Sequence, residues 1–171
     1  MDTVALLGDR LRGELGFRAL EQEEPPESLL RHPGAFTFLG AKTYFGSLVS
    51  VGLVAADGLG PEDLGNRFRL FQALFDQLLE IGPTARGLVV GNLTGRSALL
   101  AFVFEAPPTR DQIEGIREFK YGSAAKLGYC RAWAIDVING KVHKHKGLPL
   151  KLYPSKRFFQ EALQLSGSDD G

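Results

Sequence analysis

The sequence predicts a domain of the α+β class, in which a mostly antiparallel sheet packs against about four helices on one face or at one end. Apolar residues recur every three or four positions in four segments, which is the spacing of amphipathic helices. Three pairs of strand-like segments, each joined by a short turn sequence, indicate β-hairpins. The elements follow in the order α-ββα-ββα-ββα, and strands joined by short turns are antiparallel.

Two helices are predicted in the first half of the chain. The first covers residues 2–15, where apolar side chains lie three and four positions apart. The second begins at Pro61, which suits the first helical position because its missing N–H would be unpaired there. Gly82-Pro83 ends this helix, since glycine accepts the left-handed cap conformation and proline cannot continue a helix.

Two further helices are predicted near the end of the chain. Thr109 and the glutamine three residues later form a capping box, which predicts a helix that extends through Leu127 and stops at Gly128. Ser155, together with the proline before it, caps a last helix whose apolar residues include Phe158.

Three hairpins are predicted from apolar or alternating segments that flank turn residues. Their strands are residues 35–39 with 44–56, residues 88–90 with 99–104, and residues 129–138 with 141–146. The connecting turns are residues 40–43, 92–95 and 139–140. Residues 99–104 are apolar without polar alternation, which is typical of a strand that is covered on both faces or lies at the sheet centre.

Length and composition predict one globular domain. The chain has 171 residues, of which 44% are hydrophobic and 23% charged. We expect residues 1–166 to form the domain and residues 167–171 to be a flexible tail. Residues 21–27 carry four acidic residues and two prolines, which predicts a solvated acidic loop.

The cysteine count and the apolar runs favour a soluble, cytoplasmic protein. The single cysteine, Cys130, excludes an intrachain disulfide and disfavours a cysteine-based zinc site. No secretion signal is evident, which also favours a reducing compartment. The longest apolar stretch, residues 44–56, has 13 residues, whereas a membrane-spanning helix needs about 20. We therefore predict no transmembrane segment.

The Asn139-Gly140 dipeptide is the strongest short hairpin signal in the chain. A two-residue turn there pairs Asp136 with His143, and strand alternation places His145 on the same face. Two imidazoles and a carboxylate can hold zinc or iron, so these three residues are a metal-site hypothesis. The alternative is an exposed strand face with a cross-strand charge pair. The neighbouring lysines favour this alternative over a metal site, because they repel a cation.

A basic segment is the second candidate for function. Residues 116–158 hold ten basic and two acidic residues, a formal charge of +8, although the whole chain is neutral. The predicted anion- or partner-binding residues are Lys141, His143, Lys144, His145, Lys146, Lys151, Lys156 and Arg157. The alternative is a basic surface that is balanced by the acidic part of the same molecule.

These features leave three functions open. The first is a non-enzymatic binding or adaptor domain for an anionic partner, such as a protein, a nucleic acid or a phosphorylated ligand. The second is a metal-dependent enzyme that uses Asp136, His143 and His145. The third is a structural subunit of a homo-oligomer, such as a homodimer joined through a strand edge. The sequence favours the first, because it has no phosphate loop, dinucleotide fingerprint or nucleophile elbow, and it predicts no cofactor and no catalytic residues.

Overall fold

A mixed β-sheet with helices on both faces is the framework of this chain. The computed structural model describes residues 2–20, 31–44, 47–80, 95–123, 128–147 and 152–166. In these ranges the helices are α1 (Thr3–Gly13), α2 (Pro61–Glu80), α3 (Arg110–Glu118) and α4 (Lys156–Ser166). The strands are β1 (Arg18–Ala19), β2 (Phe38–Tyr44), β3 (Ser47–Ala55), β4 (Gly95–Phe104), β5 (Lys120–Ser123), β6 (Gly128–Asp136) and β7 (Lys141–His143).

The sheet has the strand order β1-β2-β3-β4-β6-β5, and β7 pairs with the second half of β6. β3, β4 and β6 run parallel to one another, whereas the remaining pairs are antiparallel. The predicted α+β class is therefore confirmed for the described residues, but the mostly antiparallel sheet of three hairpins is wrong. A mixed sheet with a parallel centre takes its place.

The central strand β4 explains why the hairpin prediction failed. It pairs with β3 along one edge and with β6 along the other, so both of its edges are occupied by parallel strands. The predicted strand at residues 88–90 lies outside the described part of the chain. The predicted turn at 92–95 lies outside it as far as residue 94. The apolar run fits a parallel strand buried on both faces better than one arm of a hairpin.

Side chains of β4 alternate between two separate hydrophobic clusters. Leu100 and Phe102 belong to the cluster that α2 and α3 cover, and Leu99 and Ala101 belong to the cluster that α1 and α4 cover. The prediction that the helices lie on one face or at one end is therefore wrong. A strand that is apolar on both sides needs a helical layer on each side to exclude water.

The predicted helices are present in the described residues, with one large error in length. α1 begins after Asp2, whose carboxylate accepts hydrogen bonds from two N–H groups of the first turn. α3 begins after Thr109 with the predicted capping box, but it ends at Glu118. The next residue, Phe119, is extended and stacks on Phe68 of α2 with the ring centroids 5.0 Å apart. This packing and the pairing of β5 with β6 override the helical pattern that was predicted to continue to residue 127.

The first predicted strand pair is antiparallel, as expected, but its bounds differ from the prediction. Residues 40–43 were predicted to be the turn, but they lie inside β2, which ends at Tyr44, and β3 begins at Ser47. The register pairs Tyr44 with Ser47 and Leu39 with Gly52. Within the described residues, no helix is long and apolar enough to cross a membrane.

An aromatic cluster attaches the segment before α4 to the sheet. Tyr153 stacks on Tyr44 of β2 with the ring centroids 4.3 Å apart, and it also stacks with Phe17 at a centroid distance of 6.0 Å. The Lys42 ammonium lies 4.9 Å from the Tyr153 ring and also donates a hydrogen bond to the Leu15 carbonyl. These contacts fix where α4 begins, and α4 carries Lys156 on its first turn.

Replacing Gly52 with alanine should lower the free energy of unfolding by about 1–3 kcal/mol, because it overpacks the core. A Cβ atom there would lie 2.9 Å from Leu100 Cδ1 and 3.0 Å from Phe71 Cε2. Urea denaturation measures the change. Gly115→Ala is the matched control: nothing lies within 4 Å of a Cβ there, and helix propensity predicts a gain of about 0.5–1 kcal/mol. An unchanged stability of Gly52→Ala would contradict this close packing.

Candidate functional site

The β6–β7 hairpin carries most of the predicted site residues, but in a different register. Its turn has four residues, 137–140, so Asp136 pairs with Lys141 and His143 pairs with Ala134. The prediction that Asp136 lies opposite His143 is therefore wrong by two residues. The Asp136 carboxylate accepts hydrogen bonds from the Asn139 backbone N–H at 3.1 Å and the Asn139 side-chain amide at 2.7 Å. This side-chain capture stabilises the longer turn.

His145 lies beyond the end of β7 and faces the opposite side of the hairpin. Its Nδ1 accepts a hydrogen bond of 3.0 Å from the Trp133 indole N–H, and both side chains are buried. Trp133 belongs to the cluster under α1 and α4, whereas Ala134, opposite His143, belongs to the cluster under α2 and α3. The structure therefore does not bring His143 and His145 together on one face.

The three residues of the metal-site hypothesis are each engaged elsewhere or separated. Asp136 holds the turn, His145 accepts from Trp133, and His143 stands beside cationic groups. In the part of the chain that the structure describes, no three His, Cys, Asp or Glu side chains converge as a metal ion requires.

His143 lies where positive charge converges from three elements. Its Nε2 atom is buried and has no hydrogen-bond partner among the described residues. Burial lowers the pKa of the imidazole, Asp136 raises it, and the charges of Arg117, Lys141 and Lys156 lower it further. These three cations belong to α3, β7 and α4, so basic residues from three separate elements act on the same imidazole.

Some of the neighbouring basic residues are neutralised by the acidic residues of α3. Lys146 Nζ lies 2.6 Å from Glu114 Oε2 and 2.8 Å from Glu118 Oε1. Arg117 pairs with Glu114 at 3.0 Å and donates a hydrogen bond of 2.8 Å to the Lys144 carbonyl. The hydrogen bond to Lys146 lowers the pKa of the Glu114 carboxyl, and the hydrogen bond to Glu114 raises the pKa of Lys146. These contacts attach the segment after β7 to α3.

Other predicted binding residues remain exposed. The side chains of Lys141 and Lys156 make no hydrogen bond or ion pair with another described residue, and Lys144 Nζ lies 5.8 Å from the centre of the Trp133 ring. Arg157 pairs with Glu161 of its own helix at 2.6 Å. Lys151 lies outside the described residues. We name Lys141, Lys144 and Lys156, together with His143, the cationic edge.

A second polar site was not predicted from the sequence. An open groove of about 460 Å³ lies along the first half of α2, and its lining residues are His32, Asp63, Asn66, Arg67, Arg69 and Leu70. The sequence pattern shows both arginines outside the apolar stripe of α2, and in the structure Arg69 is exposed and Arg67 is half-buried. It gave no sign that the turn around His32 lies against them, because that contact depends on the tertiary fold.

Comparison of the chain with models of protein families, with curated proteins and with solved structures finds no match. No residue role is therefore carried over from a relative. Contacts, burial and charge are the basis on which a function can be assigned.

The pH dependence of stability should report on His143. Its pKa is lowered in the folded protein, so between that pKa and the unfolded value of about 6.5 the unfolded chain binds more protons. The free energy of unfolding should therefore fall as the pH falls below about 6.5. When the pH is lowered from about 7.5 to about 5, the free energy of unfolding should fall less in His143→Gln than in the wild type. Urea denaturation at each pH measures this difference. Identical pH profiles, or an NMR titration of His143 above its ordinary range, would contradict this assignment.

Proposed function

We propose that this chain is a non-enzymatic binding domain that contacts an anionic partner through the cationic edge. The observation that carries the proposal is the contrast between neighbouring cations. Arg117, Lys146 and Arg157 are held by carboxylates, whereas Lys141 and Lys156 have no such partner among the described residues. The charges of Lys141 and Lys156 both act on His143, and exposed, unpaired ammonium groups close to one another raise the local concentration of anions and speed their association.

The positions of these charges favour a partner with an extended anionic surface. Lys141 is on β7, Lys144 follows that strand, and Lys156 begins α4, so the charges lie on separate elements. A polyanion can contact several such groups at once, and each phosphate contact releases a counterion. Phosphate backbones, phosphorylated ligands and acidic protein surfaces all have this chemistry.

Three side chains among the described residues that could take part in catalysis are buried or hydrogen-bonded internally, which favours binding over an enzyme that uses them. Cys130 is fully buried, and burial raises the pKa of its thiol, so the reactive thiolate is disfavoured. The carboxylate of Asp136 and the Nδ1 atom of His145 accept internal hydrogen bonds.

The short edge strand β7 also argues against a homodimer formed by pairing this strand across a two-fold axis. β7 has three residues, and Lys141 is exposed at its start. Short, lysine-bearing edge strands are a common way to prevent edge-to-edge pairing. The cationic edge is therefore better suited to an anionic partner than to a second copy of the same strand.

Replacing Lys141, Lys144 and Lys156 together with glutamine should weaken binding to a polyanion. Heparin provides the probe: the variant should elute from a heparin column at lower salt than the wild type, because three phosphate- or sulfate-binding charges are lost. The slope of log K against log salt should fall by about one for each lysine removed. Glutamine is preferred to glutamate, since a glutamate at position 141 would face Asp136 across the hairpin.

A matched variant separates this surface from overall charge. Arg18, Arg110 and Lys120 are also exposed, have no ion pair with a described residue, and lie on other elements. Changing these three to glutamine removes the same charge and should leave elution unchanged. Equal losses in both variants, or wild-type retention of the cationic-edge variant, would overturn the proposal. Capture from a lysate by the wild type, with the two variants beside it, then identifies the partner class.

A further inference from the structure

The groove along α2 is a second place where the molecule is suited to an anion. We propose that it binds a small organic anion, with the acidic group of the ligand against the Arg67 guanidinium and its apolar part against Leu70. Its volume of about 460 Å³ lies within the range of roughly 300–1,000 Å³ that is usual for small-molecule sites.

Among the described residues that line the groove, Arg67 is the arginine whose side chain has no ion pair or hydrogen bond. The side chain is half-buried and makes no ion pair or hydrogen bond with another described residue. The other polar residues of α2 in the groove are already engaged. The Asp63 carboxylate accepts a hydrogen bond of 3.3 Å from the Gly60 N–H, and Arg69 donates one to the side-chain oxygen of Asn66. A free guanidinium presents a fork of donors that matches a carboxylate or a phosphate.

Leu70 gives the groove an apolar surface next to this charge. It lies one helical turn after Arg67, is half-buried, and packs against the rim of the cluster under α2 and α3. A ligand that carries only charge would leave this surface uncovered. An organic anion would cover Leu70 while its acidic group reaches Arg67, which favours it over an inorganic ion.

The groove lies at the end of the sheet where the parallel strands finish. β3 ends at Ala55 and α2 begins at Pro61, so the first half of α2 stands over the carboxyl ends of the parallel strands. β2 runs antiparallel to β3, and the turn around His32 precedes it, so that turn lies at the same end. Ligand sites in sheets with parallel strands are usually found at this end.

The groove and the cationic edge can be tested separately, because they lie towards opposite edges of the sheet. The turn before β2 borders the groove, whereas β7 pairs with β6, and β3 and β4 lie between β2 and β6. Failure of one site would therefore leave the other unaffected.

Amide chemical shifts in ¹H–¹⁵N NMR spectra provide the test, with three defined probes. Phenyl phosphate and benzoate combine an anion with an apolar ring, and inorganic phosphate has the anion alone. Phenyl phosphate or benzoate should shift the amides of His32, Asn66, Arg67 and Leu70 in a saturable way, and whichever binds more tightly identifies the acidic group. Inorganic phosphate should bind several-fold more weakly, because it leaves Leu70 uncovered.

Arg67→Gln should weaken the affinity for the better organic probe by about tenfold or more. Arg110→Gln removes the same charge from another exposed helical position and should bind like the wild type. The spectrum of each variant shows whether it is folded. The absence of saturable shifts in the groove, the same affinity in Arg67→Gln, or equal affinities for inorganic phosphate and both organic probes would overturn the proposal.

Discussion

The rest of this structure depends on the complete burial of one strand, β4. Its backbone groups pair with β3 on one side and with β6 on the other, and the described side chains alternate between two hydrophobic clusters. Unpaired backbone groups in such a position would be costly, so both edges must be filled. Apolar side chains on both faces require helices on both faces, which is why α1 and α4 cover one side while α2 and α3 cover the other.

The burial of β4 also places the candidate binding residues at the edges and ends of the sheet. No polar side chain of β4 from Ala98 to Phe104 is available for function, because these residues are apolar and buried. The lysines of the cationic edge lie instead on β7, after it, and at the start of α4, and the groove lies along the first half of α2, which follows β3. Each of these positions is at an edge or an end of the framework, where water and ligands have access.

Local features of this fold could be predicted from the sequence, and long-range features could not. The start of α2 at Pro61 and the capping box at Thr109 depend on neighbouring residues, and both are correct. The strand order depends on which strands pair with one another, and an apolar run such as residues 99–104 indicates a buried strand without showing its partners. The end of α3 at Glu118 follows from the packing of Phe119 on Phe68. These two residues are 51 positions apart in the sequence, so this contact cannot be seen in the local pattern.

The candidate site shows the same division. The basic character of residues 116–158 is visible in the sequence, and so is the alternation that separates the two faces of the β6–β7 hairpin. Which lysines stay unpaired is not visible, because Lys146 is neutralised by Glu114 and Glu118 from a separate helix. The hairpin register was missed for a local reason: the Asp136 side chain captures Asn139, and this favours four turn residues over two.

Trp133, which donates a hydrogen bond to His145, is an intrinsic fluorescence probe of this protein. Trp133 is the single tryptophan of the chain, it is buried, and its ring contacts Phe159 of α4 as well as His145. Indole emission depends on the polarity around the ring, so the intrinsic fluorescence of this protein arises at the junction of β6, α4 and the segment after β7. Spectral changes on heating, acidification or ligand addition will therefore report on that junction, beside the exposed lysines, without any label.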